Sequence, residues 1–415
     1  MTKCSIVGHL TPRPNRNKTR DNQRKSCPRI MADHPHAPLA SGARDPRLDF
    51  FRGVSLVMIY MNHVPGTIYE NFTSRNYGLS DAAEGFVFMS GCAAALAYGP
   101  KIKDGLNWPG IRKCWGRAWL LYLVHIFISA WAIAIAAGAT LWFGGGEMLK
   151  HNAFGPLTET PLAFLVGIAT LGHQLGYVNI LPMYAVLLLW APFLIRLGQR
   201  KPMGLLAFTI GLWAFAGWFG LDLPNYPFDG GWFFNPFSWQ LLFSLGILTG
   251  LFLRRGERFV PIWKALIVPA TIWLVFSAFW AQSPELQAQF GHVIWTILQY
   301  DVPRFLVDFD KTYVSGPRLT HFLAVAYILS LPWLVPSIAA SRVMKPIRTM
   351  GKQGLQVFAL GTVLAIFSQA VKASHPGGFW QDTVLILGGL TVQWALAAVR
   401  EYIKPHPTAP KAATA

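Results

Sequence analysis

The chain has 415 residues, 53% of them hydrophobic and 14% aromatic, with 17 Trp and 29 Phe, and only 13% are charged. That is about half the charged share of an average soluble domain, which excludes a disordered chain and argues against an ordinary soluble enzyme. The net charge of +17 invites a nucleic-acid partner, but the placement of the charges excludes one. Four cysteines (Cys4, Cys27, Cys92, Cys114) are scattered and form no CxxC pair, so neither a disulfide scaffold nor a cysteine metal site is expected.

Residues 1–46 are polar, basic and rich in Pro and Asn, and read as a disordered cytoplasmic tail. No apolar core follows the early basic residues, so no signal peptide is expected, and Met31 is an alternative start. A membrane helix needs about 20 mostly apolar residues. Ten segments qualify, at roughly 48–66, 82–99, 118–141, 180–197, 203–220, 238–253, 262–281, 320–340, 351–371 and 380–400. The stretch 161–173 is too short to span and suits a re-entrant or buried helix. Residues 47–403 therefore read as one all-α polytopic membrane domain of about ten transmembrane helices, and 404–415 as a second short tail.

Charge tests that layout independently. With both termini cytoplasmic, 29 of the 36 basic residues fall in the tails and inner loops, and six fall outside: Arg75, Lys150, Arg304, Lys311, Arg318 and Lys372. Acids collect outside instead. The positive-inside rule predicts this alternation, so the excess of charge reports topology, and the partner it implies is a lipid bilayer.

Ionisable groups within membrane segments carry a functional expectation. The first segment holds Asp49, Arg52 and His63. Asp49 and Arg52 are three apart and neighbour each other on a helix. Arg52 and His63 are eleven apart, three turns plus about 20°, so they share a face about 16 Å apart. A cation at the inner mouth and a titratable base above it suit a two-sided reaction, with an anionic donor below and proton abstraction further up. The bland alternative is that Arg52 snorkels beside Asp49 and that His63 bonds a carbonyl at the helix end.

In the second segment Asp81 reads as a helix cap. Glu84, a turn inside, reads as a carboxylate that orients His63 or holds a substrate hydroxyl. Arg112, Lys113 and Arg117, before the third segment, either grip phosphates or enforce topology. His125 reads as a satisfied interior histidine. The outer loops mix acids, amides and aromatics: Gly176-Tyr-Val-Asn179, and a stretch with Asp222, Asn225, Asp229, Trp232 and Trp239. Such groups stack on and bond to sugar rings, the reading favoured for Asp222, Asp229 and Trp232. Trp239 fits an interfacial aromatic belt. The histidines are dispersed and no HExxH occurs, so no metal is expected. Walker, GxGxxG and GxSxG motifs are absent from the sequence.

The run Leu48-Asp49-x-x-Arg52-Gly53 with His63 resembles the first-helix signature of the acyltransferase-3 superfamily, and Phe86-Val-Phe-Met-Ser-Gly91 resembles its second-helix block. The basic run at Arg112–Arg117 is similar to its paired-arginine element. One branch matches more closely. The stretches Arg44-Asp-Pro-Arg-Leu-Asp-Phe-Phe-Arg-Gly, Asp81-Ala-Ala-Glu-Gly-Phe-Val-Phe-Met-Ser-Gly, Asn179-Ile-Leu-Pro-Met-Tyr184, Asn235-Pro-Phe-Ser-Trp-Gln240 and Gly351-Lys-Gln-Gly-Leu-Gln-Val-Phe358 resemble OpgC proteins. The resemblance spans Arg44 to the last helix.

It implies an enzyme of the bacterial inner membrane that succinylates osmoregulated periplasmic glucans, with acyl-CoA, here succinyl-CoA, as the cytosolic donor substrate and a periplasmic glucan as acceptor. On that reading His63 is the general base, with Glu84 and Asp49 beside it. Arg52, Arg112, Lys113 and Arg117 hold the donor, and Asn179, Tyr184, Asp222, Asp229 and Trp232 hold the glycan. The rival reading is a proton-coupled secondary transporter of a glycan or organic anion, which predicts broken helices at matched positions in two halves. No such pair is visible in the sequence, which leaves the acyl group, the accepting hydroxyl, direct transfer versus an acyl-enzyme, and the oligomeric state open.

Overall fold

The computed structural model describes residues 45–403, apart from 104 and 334. Among them all regular structure is helical. In chain order the helices are α1 (Pro46–Asn62), α2 (Ala82–Ile102), α3 (Trp108–Phe143), α4 (Gly155–Glu159), α5 (Pro161–Thr170), α6 (Ile180–Arg200), α7 (Pro202–Phe219), α8 (Pro236–Arg254), α9 (Lys264–Gln282), α10 (Pro284–Leu298), α11 (Arg304–Val307), α12 (Gly316–Leu329), α13 (Pro336–Ala340), α14 (Lys345–Lys352), α15 (Gly354–Ser374) and α16 (Phe379–Ile403). The expected tails lie outside the described residues except for Asp45 and Pro46, which belong to the fold. The Asp45 carboxylate accepts the Arg47 N–H at 2.9 Å, and Pro46 opens α1.

Each of the ten apolar segments contains a helix. Eight of these (α2, α3, α6, α7, α8, α9, α15 and α16) are long and apolar enough to cross a membrane, which makes this a multi-pass membrane protein. The other two fall short. α1 has 17 residues, and the segment expected at 320–340 folds as the 14-residue α12 followed by α13. Pro332 and Pro336 supply no N–H to an extended ladder, so the chain breaks there. The 161–173 stretch forms only the ten-residue α5.

Local chemistry sets the boundaries. α3 starts ten residues before the expected span, because Asn107 caps it through the Gly110 N–H and Pro109 sits in its first turn. Arg112, Lys113 and Arg117 are thus helical rather than in a loop. At about 1.5 Å per residue its 36 residues reach about 54 Å, beyond the hydrocarbon core. Asn235 caps α8 through the Phe237 N–H at 2.9 Å, ahead of Pro236.

The centre of the bundle is α2 against α8. Their backbones touch: a Cβ at Gly91 would overlap the Phe243 carbonyl, and one at Gly246 would overlap the Phe88 carbonyl. Small residues permit this approach where lipid supplies no hydrophobic drive between helices. α1 packs on α14, α15 and α16, while α3 packs on α6 and α15. α9 and α10 form the periphery, with α9 packed on α12. Trp239, expected in an interfacial belt, is instead fully buried and donates its indole N–H to the Lys311 carbonyl at 3.0 Å. Burial of a Trp in this way requires that partner.

Candidate functional site

α1 carries its polar residues at its two ends. Near the start, Arg52 lies 3.5 Å from the Asp49 carboxylate and donates to the Gly351 carbonyl at 3.3 Å. A Cβ at Gly354 would sit 2.8 Å from the Arg52 Cδ, so the guanidinium stem is wedged where α14 meets α15. Arg112 and Lys113 are exposed on the first turns of α3, and Arg117 is half-buried. The described contacts of Arg52 include none of these three. The four basic residues lie toward one face of the bundle without forming a closed cluster.

His63 ends α1 as its C-cap. Its ring stands 4.2 Å from that of Tyr177, and its carbonyl accepts the Gln369 amide N–H at 2.6 Å. That carbonyl would otherwise be one of the orphans every helix leaves at its C-terminus.

Asp81 and Glu84 form a capping box at the start of α2. Asp81 accepts the Ala83 N–H at 2.8 Å, and Glu84 accepts the Asp81 N–H at 3.0 Å. Glu84, completely buried, also takes the Arg318 guanidinium, whose Nε donates at 2.9 Å. Asp81 pairs with Lys311 and with Arg318. A buried carboxylate needs such a partner, so Glu84 is engaged by Arg318, and no described contact joins it to His63. Lys311 and Arg318 belong to the 282–319 stretch to which the sequence reading assigned no role. One signal marked them, since they stand against the positive-inside pattern. Four of its six outer exceptions form ion pairs here: Lys150 with Glu147, Lys372 with Asp382, and these two.

On the face where α1 ends lies an open cavity of about 510 Å³. Asn152, Gln174 and Asn179 supply amides, Asp222 a carboxyl, and Trp232 and Tyr313 aromatic surface. The loop from Asp222 to Trp232 doubles back on itself through Asn225 N–H to Gly230 (3.0 Å) and Trp232 N–H to Leu223 (3.1 Å). Trp232 is buried in the fold of this loop, its indole N–H on the Pro224 carbonyl at 3.2 Å.

Asp222 accepts the Leu223 N–H at 2.7 Å. Burial pushes its carboxyl up to about 7, and the charge of Asp310 adds to this against the two backbone N–H groups of Leu223 and Trp232.

Of the expected sugar-binding residues the structure gathers Asn179, Asp222 and Trp232 around this cavity. It does not gather the other two. Asp229 stands exposed at the loop tip. Tyr184 lies one turn into α6 with its ring edge-on to Phe243 at 6.2 Å, inside the bundle. Asn152, Gln174 and Tyr313 were missed, because isolated polar residues between helices carry no sequence pattern. His125 is completely buried against the Val178 backbone, yet neither ring nitrogen finds a good hydrogen bond, so it is interior but not satisfied as expected.

The OpgC protein family matches residues 44–405 of the chain. No curated protein and no solved structure matches it. The match takes in every helix and every site residue described above, and the chain belongs to the OpgC family, which makes it an acyltransferase-type membrane enzyme.

Proposed function

We propose that the protein is an O-acyltransferase of the bacterial inner membrane that moves a succinyl group from cytosolic succinyl-CoA to a hydroxyl of a periplasmic glucan. One observation carries the reading. The cavity of amide, carboxyl and aromatic groups is walled by Gly176, and the ring of the next residue, Tyr177, meets the His63 ring at 4.2 Å with the two planes tilted by 44°. On this reading a sugar ring seated there lies next to the segment that contacts the imidazole at the end of α1. The basic face, which the positive-inside rule assigns to the cytosol, offers Arg52, Arg112, Lys113 and Arg117 to the phosphates of the donor, with Asp49 steadying Arg52.

In the reaction His63 accepts the proton of the acceptor hydroxyl as its oxygen attacks the thioester carbonyl. An ester C–O bond forms, the C–S bond breaks, and the imidazolium returns the proton to the departing thiolate. A neutral imidazole has the free nitrogen lone pair that this exchange needs. Glu84 acts at a distance, by anchoring Arg318 and the α12 end of the site. The resemblance of the Arg52–His63 spacing to the acyltransferase-3 superfamily supports the same assignment.

The test supplies radiolabelled succinyl-CoA or acetyl-CoA with extracted periplasmic glucan to membranes holding wild type or His63→Ala, and weighs the products. A succinylated glucan lost by about 10²–10⁴-fold in the variant is expected for a general base. A folded, inserted His63→Ala with full activity would remove His63 from the chemistry, and transfer from neither donor by the wild type would remove the reaction.

A further inference from the structure

Five links around His63 close into a ring. The Asn152 amide donates to the Gln369 side-chain oxygen at 2.6 Å, and the Gln369 amide donates to the His63 carbonyl at 2.6 Å. The His63 ring meets the Tyr177 ring at 4.2 Å. Tyr177 is bonded to Gly176, whose N–H donates back to the Asn152 carbonyl at 2.9 Å. Asn152 and Gly176 both line the cavity, so the ring joins the cavity wall to the imidazole.

The backbone around this ring is unusual. Asn152 (φ 55°), Ala153 (φ 62°) and Tyr177 (φ 68°) all hold left-handed conformations, which non-glycine residues adopt only where surroundings over-determine them. Gly176 is pinned too, since a Cβ there would lie 2.9 Å from the Asn152 side-chain oxygen. Capping the end of α1 explains the Gln369 bond alone. It explains neither why Asn152 holds the other end of that glutamine nor why a strained tyrosine covers the histidine.

We infer that Asn152, Gln369 and Tyr177 are positioning residues that hold the His63 imidazole in register with a sugar bound in the cavity. The inference builds on the reading of His63 as general base. Asn152 is the member that a bound sugar touches, and Gln369 and Tyr177 are the two arms that carry its position to His63. Displacement by about 1 Å is enough to slow a reaction by about 10²-fold.

The test measures kcat and KM with radiolabelled succinyl-CoA and extracted glucan, and the pH profile of kcat, in membranes with matched amounts of inserted protein. Tyr177→Gly removes the ring while relieving the left-handed backbone, so folding is spared. Gln369→Met removes the hydrogen bonds at similar length. Both are expected to lower kcat about tenfold or more, to leave the KM for succinyl-CoA in place and to shift the pH of half-maximal rate. Tyr177→Phe, which keeps the ring, is expected to recover the rate that glycine loses. Wild-type kcat and pH profile in Tyr177→Gly and Gln369→Met, beside an inactive His63→Ala, would overturn the inference and leave the base intact. A fully active His63→Ala would overturn the base itself, and equal losses in Tyr177→Phe and Tyr177→Gly would overturn the ring-contact arm.

Discussion

At the scale of single residues, Asp222 shows how position outranks type. Asp222 and Asp229 sit seven residues apart in one loop and read alike in sequence. The fold turns the first into the cavity and leaves the second in solvent. Burial raises the Asp222 carboxyl from about 3.8 to about 7. A folded-state value above the unfolded one means the folded protein binds the extra proton, so this contribution to stability is complete below pH 4 and is lost as pH rises to 7. The protonated carboxyl also both donates to and accepts from a sugar oxygen, whereas the carboxylate only accepts. Asp222→Asn keeps both capacities at every pH. With the proposed glucan acceptor, wild type is expected to show a KM that rises above pH 7 and Asp222→Asn a flat one, measured by initial rates across pH 5 to 9. An equally steep rise in the variant would exclude Asp222 as its source.

Among helices, the α2–α8 contact decides how much of the site can be held still, because α2 begins with Asp81 and Glu84. The two backbones meet at Gly91 and Gly246, where no Cβ fits. Gly91→Ala forces α2 away from the Phe243 carbonyl, and overpacking of this kind costs about 1–3 kcal/mol. Gly116, inside α3, has open space at its Cβ position, so Gly116→Ala gains helix propensity without a clash. Thermal unfolding in detergent is expected to place Gly91→Ala below wild type and Gly116→Ala at or above it. Equal midpoints for the two would mean the helices do not touch there. The same scale shows why the last turns of α1 matter: His63 is at a helix end, where its carbonyl needs an outside partner and Gln369 of α15 provides one.

Across the whole molecule, helix direction places the α3 start and the Asp222–Trp232 loop on opposite faces, and on the proposed topology, which rests on the positive-inside rule, the first of these faces the cytosol. Asp229→Cys is therefore expected to react with a membrane-impermeant maleimide added to intact cells, and Arg112→Cys only after the membrane is opened; the reverse pattern would invert the topology. The apolar stretches, the Asp81 cap and the charge alternation were legible in the sequence, since each depends on neighbours within a few residues or on the thickness of the bilayer. The residues Asp49, Arg52 and His63 could be placed on one face for the same reason. Hidden from it were the pairing of Glu84 with Arg318, 234 residues away, the bond from Gln369 to His63 across 306 residues, and the burial of Trp239 under Lys311. Local periodicity carries no information about contacts at that separation. They form only when helices drawn together by small residues bring unpaired charges, carbonyls and rings within reach in a medium that leaves them no water to bind.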